Sequence, residues 1–236
     1  MSFYFYVIAL QVKQDSMKKI ISFIFLFFIT FSSHAHVGHH KNLKNLKFDI
    51  YRNGQYAGFH HINFNWKTDE SLEVENIIDF GVKKFGITFY KYTSNGTEKY
   101  DAKGRMTSFS SKTDDNGREK FCDIKLNDNK YYIKGTKFDG ILKEPFLISS
   151  YWNHDIVTVP IQISGITCKK TEQKVNFLKE ENFEVAGKTF ETKVFDIKGE
   201  KLDTQVWFDQ KTRMIVHQVL NKKGKWEYKL KEYNLN

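Results

Sequence analysis

Two prolines and two cysteines in 236 residues, and no apolar run longer than about a dozen, narrow what this chain can be. The longest apolar run, Ile20 to Phe31, falls short of the roughly 20 residues an α-helix needs to cross a bilayer, which argues against a membrane anchor. Cys122 and Cys168 allow one disulfide at most. In an oxidising compartment they either pair across a loop of about 46 residues or stay as two buried thiols. No Pro/Gly/Ser-rich linker divides the chain, so one domain is expected. A Gly-x-Ser-x-Gly elbow, His-Glu-x-x-His, a phosphate-binding loop and a dinucleotide fingerprint are all missing, which makes an enzyme the lesser reading. Helical periodicity is missing too.

What is present begins with an address. Met17-Lys18-Lys19, the apolar run and Ser33-His34-Ala35 have the three-part build of a secretory signal peptide over residues 17–35, cleaved near Ala35. Residues 1–16 precede a well-formed signal with its own methionine and read as an over-extended start. A periplasmic or secreted protein is expected. Removing the leader lowers the net charge of +9 to about +7. The lysines are dispersed along the chain, which fits a solvated surface and speaks against nucleic acid as a partner. Weak association with an anionic envelope surface is compatible with that charge. Residues 36–46 read as a flexible tail in which His36, His39 and His40 form a candidate Cu²⁺ or Zn²⁺ set. No carboxylate or thiol stands close by to complete it.

From residue 47 onward short alternating segments are separated by turn residues. Asn53-Gly54 and Asn116-Gly117 carry the signature of type I′ hairpins, and Asn95-Gly96 predicts an interruption or bulge. In Tyr56, Gly58, His60, Ile62, Phe64 and Trp66 one face of a strand is legible, with His60 on the apolar side as a core or rim residue. Residues 135–170 break the rhythm and hold both prolines, with a short helix or lid expected near 149–157, capped by Ser149 or Ser150. The fold class is therefore all-β: about 10–12 antiparallel strands in a strongly bent sheet or a half or closed barrel, lipocalin-like or lipoprotein-carrier-like.

An ordered set of residues runs through the chain: Phe48-Asp49-Ile50-Tyr51 with Gly54 and Gly58, Gly86-Ile87 with Tyr90 and Tyr92, Thr113-Asp114-Asp115 with Gly117, Tyr151-Trp152-Asn153, Thr167 after Gly165, and Trp207 before Asp209. It resembles the exported bacterial family known as domain of unknown function 6134, over nearly all of the chain beyond the leader. The resemblance implies shape and compartment and no reaction. It departs at the cysteines: Arg105 and Pro145 stand near the places where the family carries them, and Cys122 and Cys168 lie elsewhere.

The chemistry-bearing candidates are few. Tyr90, Tyr92, Tyr151, Trp152, Asn153 and Trp207 are the expected lining of a ligand site, with Tyr151 and Trp152 equally able to plug a barrel mouth. His154 with Asp114 or Asp155 is the candidate acid/base set of a hydrolase-like alternative. Asp114 is the carboxylate of its turn that can point inward. The leading expectation is a non-enzymatic binder of a lipid or other apolar small molecule, needing no cofactor. A structural or interaction module of the envelope is the further alternative.

Overall fold

The computed structural model describes residues 36–143 and 145–236. The leader expected at 17–35 and the segment 1–16 lie outside the described residues. The strands are β1 Leu43–Arg52, β2 Gln55–Trp66, β3 Leu72–Lys84, β4 Ile87–Tyr100, β5 Met106–Asp115, β6 Glu119–Asn127, β7 Lys130–Gly135 and β8 Asp139–Leu142. After them come β9 Leu147–Ile148, β10 Ile161–Ile163, β11 Lys170–Val185, β12 Lys188–Gly199, β13 Leu202–Asp209, β14 Ile215–Asn221 and β15 Lys225–Leu235. All belong to one sheet, whose order runs from β8 down to β1 and then from β15 down to β9. The first and last strands are thus neighbours in mid-sheet. Every pair is antiparallel except β9 with β10.

Local chemistry explains most of this meander. Both residues of Asn53-Gly54, Asn116-Gly117 and Ala186-Gly187 adopt positive φ, the backbone that joins antiparallel strands with matching twist. Along β2, Gly58, His60, Ile62 and Phe64 are buried while their neighbours are not, which is the expected alternation. A 3-10 turn, His154–Val157, is capped by the Asn153 side chain, which accepts a hydrogen bond from the Asp155 N–H.

Four expectations need correction. The ladder does not close into a barrel: β8 and β9 are its two ends, and among the described residues no strand pair joins them. With four and two residues respectively, they are too short to carry a closing ladder. The 10–12 expected strands become 15 because β8, β9 and β10 form within the Gly- and Pro-punctuated stretch. Residues 36–46 are no tail: His36–His40 is a 3-10 turn, β1 starts at Leu43, and Val37, His40, Leu43 and Leu46 are buried. Asn95-Gly96 is neither turn nor bulge, since β4 runs through it in register with β3 and β5. A Cβ at Gly96 would come within 3.3 Å of the Phe109 ring, a tight contact that would push the ring by a few tenths of an ångström.

In place of a ladder, covalent and local bonds tie the two wings of the sheet together. Cys122 of β6 forms a disulfide with Cys168 in the β10–β11 turn, with a Cα–Cα distance of 4.9 Å. Beside it the Lys137 N–H donates to the Thr167 carbonyl at 2.8 Å and the Ser111 hydroxyl to the Gly165 carbonyl at 2.5 Å. A Cβ on Gly135 would stand 2.5 Å from the Cys168 Cβ, so the bridge passes over a position only glycine can fill. Replacing both cysteines with alanine removes a constraint on a 46-residue separation and is expected to cost about 3–4 kcal/mol. Urea unfolding of the oxidised protein against the double variant measures this; coincident midpoints would refute it.

Candidate functional site

Alternation in β3 and β4 puts Ile78, Phe80, Tyr90, Tyr92, Ser94 and Gly96 along a cleft of about 820 Å³. That volume falls in the roughly 300–1,000 Å³ range of small-molecule sites. The facing wall comes from the far wing and mid-sheet: Ile148, Tyr151, Ile166, Leu220, Trp226 and Tyr228. Its aromatic rings are in mutual contact, Phe80 stacking on Tyr92 at 4.7 Å and tilting against Trp226 at 4.9 Å between centroids. Burial pushes the Tyr228 phenol up to about 12 and raises Tyr92 and Tyr151 as well, so these phenols stay neutral and act as apolar walls with a polar tip. The Tyr92 hydroxyl is buried without a hydrogen-bond partner.

The mouth of the cleft has a different character. Seven basic residues line it, Arg52, Arg118, Lys120, Lys169, Lys201, Lys222 and Lys223, against two acidic ones, Asp115 and Glu200. Asp115 is bonded to the Tyr90 hydroxyl and the Lys120 ammonium. Burial works to raise its carboxyl, and these two donors outweigh burial and hold it below the usual range. Glu200 pairs with Lys169 at 3.2 Å. The Arg52 guanidinium lies 5.5 Å over the Trp226 ring and donates from Nη2 to the Lys223 carbonyl at 3.0 Å. Its Nε is buried with no partner.

Below the aromatic walls a buried polar chain crosses the sheet. His60 Nε2 is 3.3 Å from Asn76 Oδ1, and Asn76 Nδ2 donates to Glu98 Oε1 at 3.1 Å. The Trp152 indole N–H donates to the same oxygen at 2.9 Å, and the Tyr100 hydroxyl to Oε2 at 2.6 Å. Burial raises the Glu98 carboxyl and the donors around it pull the other way. Glu98 was not singled out from sequence, because on a strand face a lone Glu carries no local mark of being buried. Its signal was the parity it shares with Tyr92, Ser94 and Tyr100.

Of the residues expected to line a ligand site, Tyr90, Tyr92 and Tyr151 line this cleft. Trp152 is fully buried in the core, Asn153 is the helix cap, and Trp207 packs on Phe183 and His217 with its N–H on Glu181 at 2.6 Å. Arg52, Phe80, Trp226 and Tyr228 were missed. His154 is 3.3 Å from Asp155 and stacks on Phe208, outside the cleft lining. Asp114 is exposed and accepts from the Gly117 N–H at 2.6 Å, so the inward carboxylate of that turn is Asp115. His40 is buried edge-on to Trp152 and His154, at 5.5 and 5.6 Å. His39 meets the Arg213 guanidinium at 2.7 Å. Among the described residues no group of three or more His, Cys, Asp or Glu is placed to hold a metal, so the His36, His39 and His40 set is not supported.

Comparison with known proteins adds a fold and no activity. A family model described as "Domain of unknown function (DUF6134)" matches residues 48–231. No curated protein matches the chain. A crystal structure of a beta-barrel-like protein of the unknown-function domain DUF1849 from Brucella abortus is similar at TM-score 0.59 and 10% identity, covering 83% of this chain and 98% of that one. The structure of MucB is a weaker match, at TM-score 0.34 and 10% identity over 87% of this chain and 59% of that one. The Pseudomonas aeruginosa MucA/MucB complex matches at 0.34 and 11%, over 86% and 57%.

Two outcomes are expected from these buried groups. Glu98→Ala strips the acceptor from Trp152, Asn76 and Tyr100 together and should cost about 3–5 kcal/mol, read by chemical denaturation with the Trp emission. A loss below 1 kcal/mol would show that the chain is not structural. Burial pushes His60 and His217 down to about 4. The unfolded chain therefore binds their protons first, and stability that is full above pH ~6.5 is lost as pH falls through ~4, by about 1–3 kcal/mol per histidine. His217 faces Glu227, Lys229, Lys225 and Glu181 and packs between Phe183 and Trp207. His217→Phe keeps that packing and should flatten the decline; parallel curves at pH 7 and 4.5 would contradict this.

Proposed function

The chain belongs to the DUF6134 family, and from that premise we propose that it is an exported envelope protein whose single sheet folds over as a half barrel to hold an amphiphile, without converting it. The carrying observation is the cleft of about 820 Å³ with aromatic walls and a basic mouth. Aromatic and aliphatic side chains there gain from covering a hydrocarbon tail, at about 25 cal/mol per Å² of apolar surface removed from water. The mouth favours an anionic head, and Arg52 is its best-placed donor. Trp226 orients its guanidinium and Lys223 holds Nη2, which presents the charged group along the cleft lining where a head-group oxygen would meet it. Export is supported by the leader signature and by a disulfide, a bond that persists in oxidising compartments.

The ligand class follows from how the polar groups are spent. Asp115 is engaged by Lys120 and Tyr90, and His60 by Asn76, so these groups build the walls. The His154–Asp155 pair, the seat of a hydrolytic alternative, is outside the lining, and the proposal makes no use of it.

Native mass spectrometry of protein purified from its own host should find a co-purifying amphiphile, and an empty protein that takes up no lipid would end the proposal. Titration with dodecanoate and with its neutral glycerol monoester, followed by quenching of Trp226, should favour the anion. Arg52→Gln should weaken the anion about tenfold and leave the neutral ester unchanged. Equal losses for both ligands would take the head-group role away from Arg52.

A further inference from the structure

The lining of the cleft at mid-sheet is not wholly apolar. His60 from β2, Gln218 from β14 and Tyr228 from β15 all contribute to it. Gln218 and Tyr228 stand opposite each other across the β14–β15 ladder, a pairing that brings their Cβ atoms to about 5 Å. The His60 ring meets the Tyr228 ring edge-on, with 6.2 Å between centroids. His60 and Gln218 are 6% and 7% exposed, and Tyr228 is half-buried. Polar groups at such depth normally engage one another fully, whereas the bonds of these three leave a defined remainder.

That remainder is fixed from behind. Glu98 Oε1 accepts from both the Trp152 indole and Asn76 Nδ2, so Asn76 turns its Oδ1 to His60 Nε2 at 3.3 Å. An amide oxygen only accepts; the His60 proton is therefore on Nε2, and Nδ1 keeps its lone pair. Burial pushes His60 down to about 4, so the ring is neutral at pH 7 and Nδ1 stays an acceptor. At Gln218 the Thr204 hydroxyl gives its one proton to the Val219 carbonyl. Thr204 can then only accept, Gln218 Nε2 faces it at 3.2 Å, and Gln218 Oε1 is left over. The Tyr228 phenol is raised by burial with no hydrogen bond contributing, and it keeps its proton to donate. A plain hydrocarbon tail laid over two acceptors and a phenol would strip their water and return no bond. A hydroxyl on the tail accepts from Tyr228 and donates to His60 or Gln218.

Trp226, which carries the Arg52 guanidinium over its ring, is two residues from Tyr228 on β15, about 7 Å along the strand. An anionic head at Arg52 thus puts these polar groups a few carbons into the tail. We infer that the cleft selects an amphiphile with a hydroxyl on its chain a few carbons from the anionic head, received by Tyr228, His60 and Gln218, a selectivity that rests on the reading of the cleft as an amphiphile site. Dodecanoate, 2-hydroxydodecanoate and 5-hydroxydodecanoate are titrated against the protein and followed by tryptophan quenching. The 5-hydroxy acid should bind about tenfold tighter than dodecanoate, and the 2-hydroxy acid no tighter. Tyr228→Phe keeps the ring and should reduce the preference for the 5-hydroxy acid about threefold or more, with dodecanoate affinity and the unfolding midpoint unchanged. In a long-range proton–nitrogen NMR spectrum at pH 7, His60 should show a protonated Nε2 and a bare Nδ1 that shifts when the 5-hydroxy acid is added. Equal affinity for dodecanoate and the 5-hydroxy acid would assign these groups to water and overturn the inference while the amphiphile reading stands. A preference untouched by Tyr228→Phe, or a His60 protonated on Nδ1 instead, would also overturn it. Failure of all three acids to bind would end both.

Discussion

One carboxylate holds together parts of this molecule that the chain separates widely. Glu98 is 1% exposed and receives Trp152 from the lid segment, Asn76 from β3 and Tyr100 from its own strand. A buried carboxyl costs several kcal/mol unless its lone pairs are filled, and filling them requires the lid to be docked with the indole nitrogen aimed at β4. The same demand extends outward, because Asn76 spends its amide on Glu98 and turns its oxygen to His60. Lid, sheet and cleft floor are thus one polar unit. Apolar packing alone would allow Trp152 several poses among Phe64, Tyr100 and His40; the hydrogen bond selects one.

Against that fixed centre the ends of the sheet are joined in a different way. A closing ladder would need strands of matched length at both edges, and β8 and β9 do not provide them. The disulfide and the bonds from Ser111 and Lys137 instead meet at residues 165–168. With the Trp152–Glu98 bond these are separate ties in place of a continuous ladder, and the cleft is lined by both wings beside them. The cost of leaving edges open is reduced by keeping both terminal strands short.

Sequence periodicity revealed the strands, the Asn-Gly turns and the inward faces of β2 and β3, since each is decided within about ten residues. It could not show the mid-sheet pairing of β1 with β15, or that Cys122 would meet Cys168, because those depend on how two wings far apart in sequence come together. The cleft was half legible for the same reason. Tyr90, Tyr92 and Tyr151 were found by type and parity, whereas Arg52 and Trp226 become neighbours only once the first and last strands pair. Trp207 lies outside the cleft because both faces of β13 carry apolar residues: Val206 is buried in the cluster with Ile156 and Ile197, while Trp207, half-buried on the opposite face, meets Phe183. The burial of β13 alternates, Thr204 and Val206 buried and Gln205 and Trp207 half-buried, and parity alone does not say which of two apolar faces turns to the cleft.

The β3–β4 pairing decides which side chains of these two strands meet the cleft. Along β4 the residues of even number, Tyr90, Tyr92 and Ser94, face the cleft, while Ile87 is directed to solvent and Phe89 reaches the rim. The β3–β4 pairing slips by one residue between Val82 and Lys83, so Phe89 is the extra residue of a bulge and the alternation that orients the cleft wall is reset before the turn. The wall is set on the near side of that bulge, with Gly81 opposite Lys91 and Val82 opposite Tyr90. The Tyr90–Asp115–Lys120 bonds then hold that wall to β5 and β6 at the mouth of the cleft, so the even-numbered face of β4 is fixed by side-chain bonds as well as by the ladder.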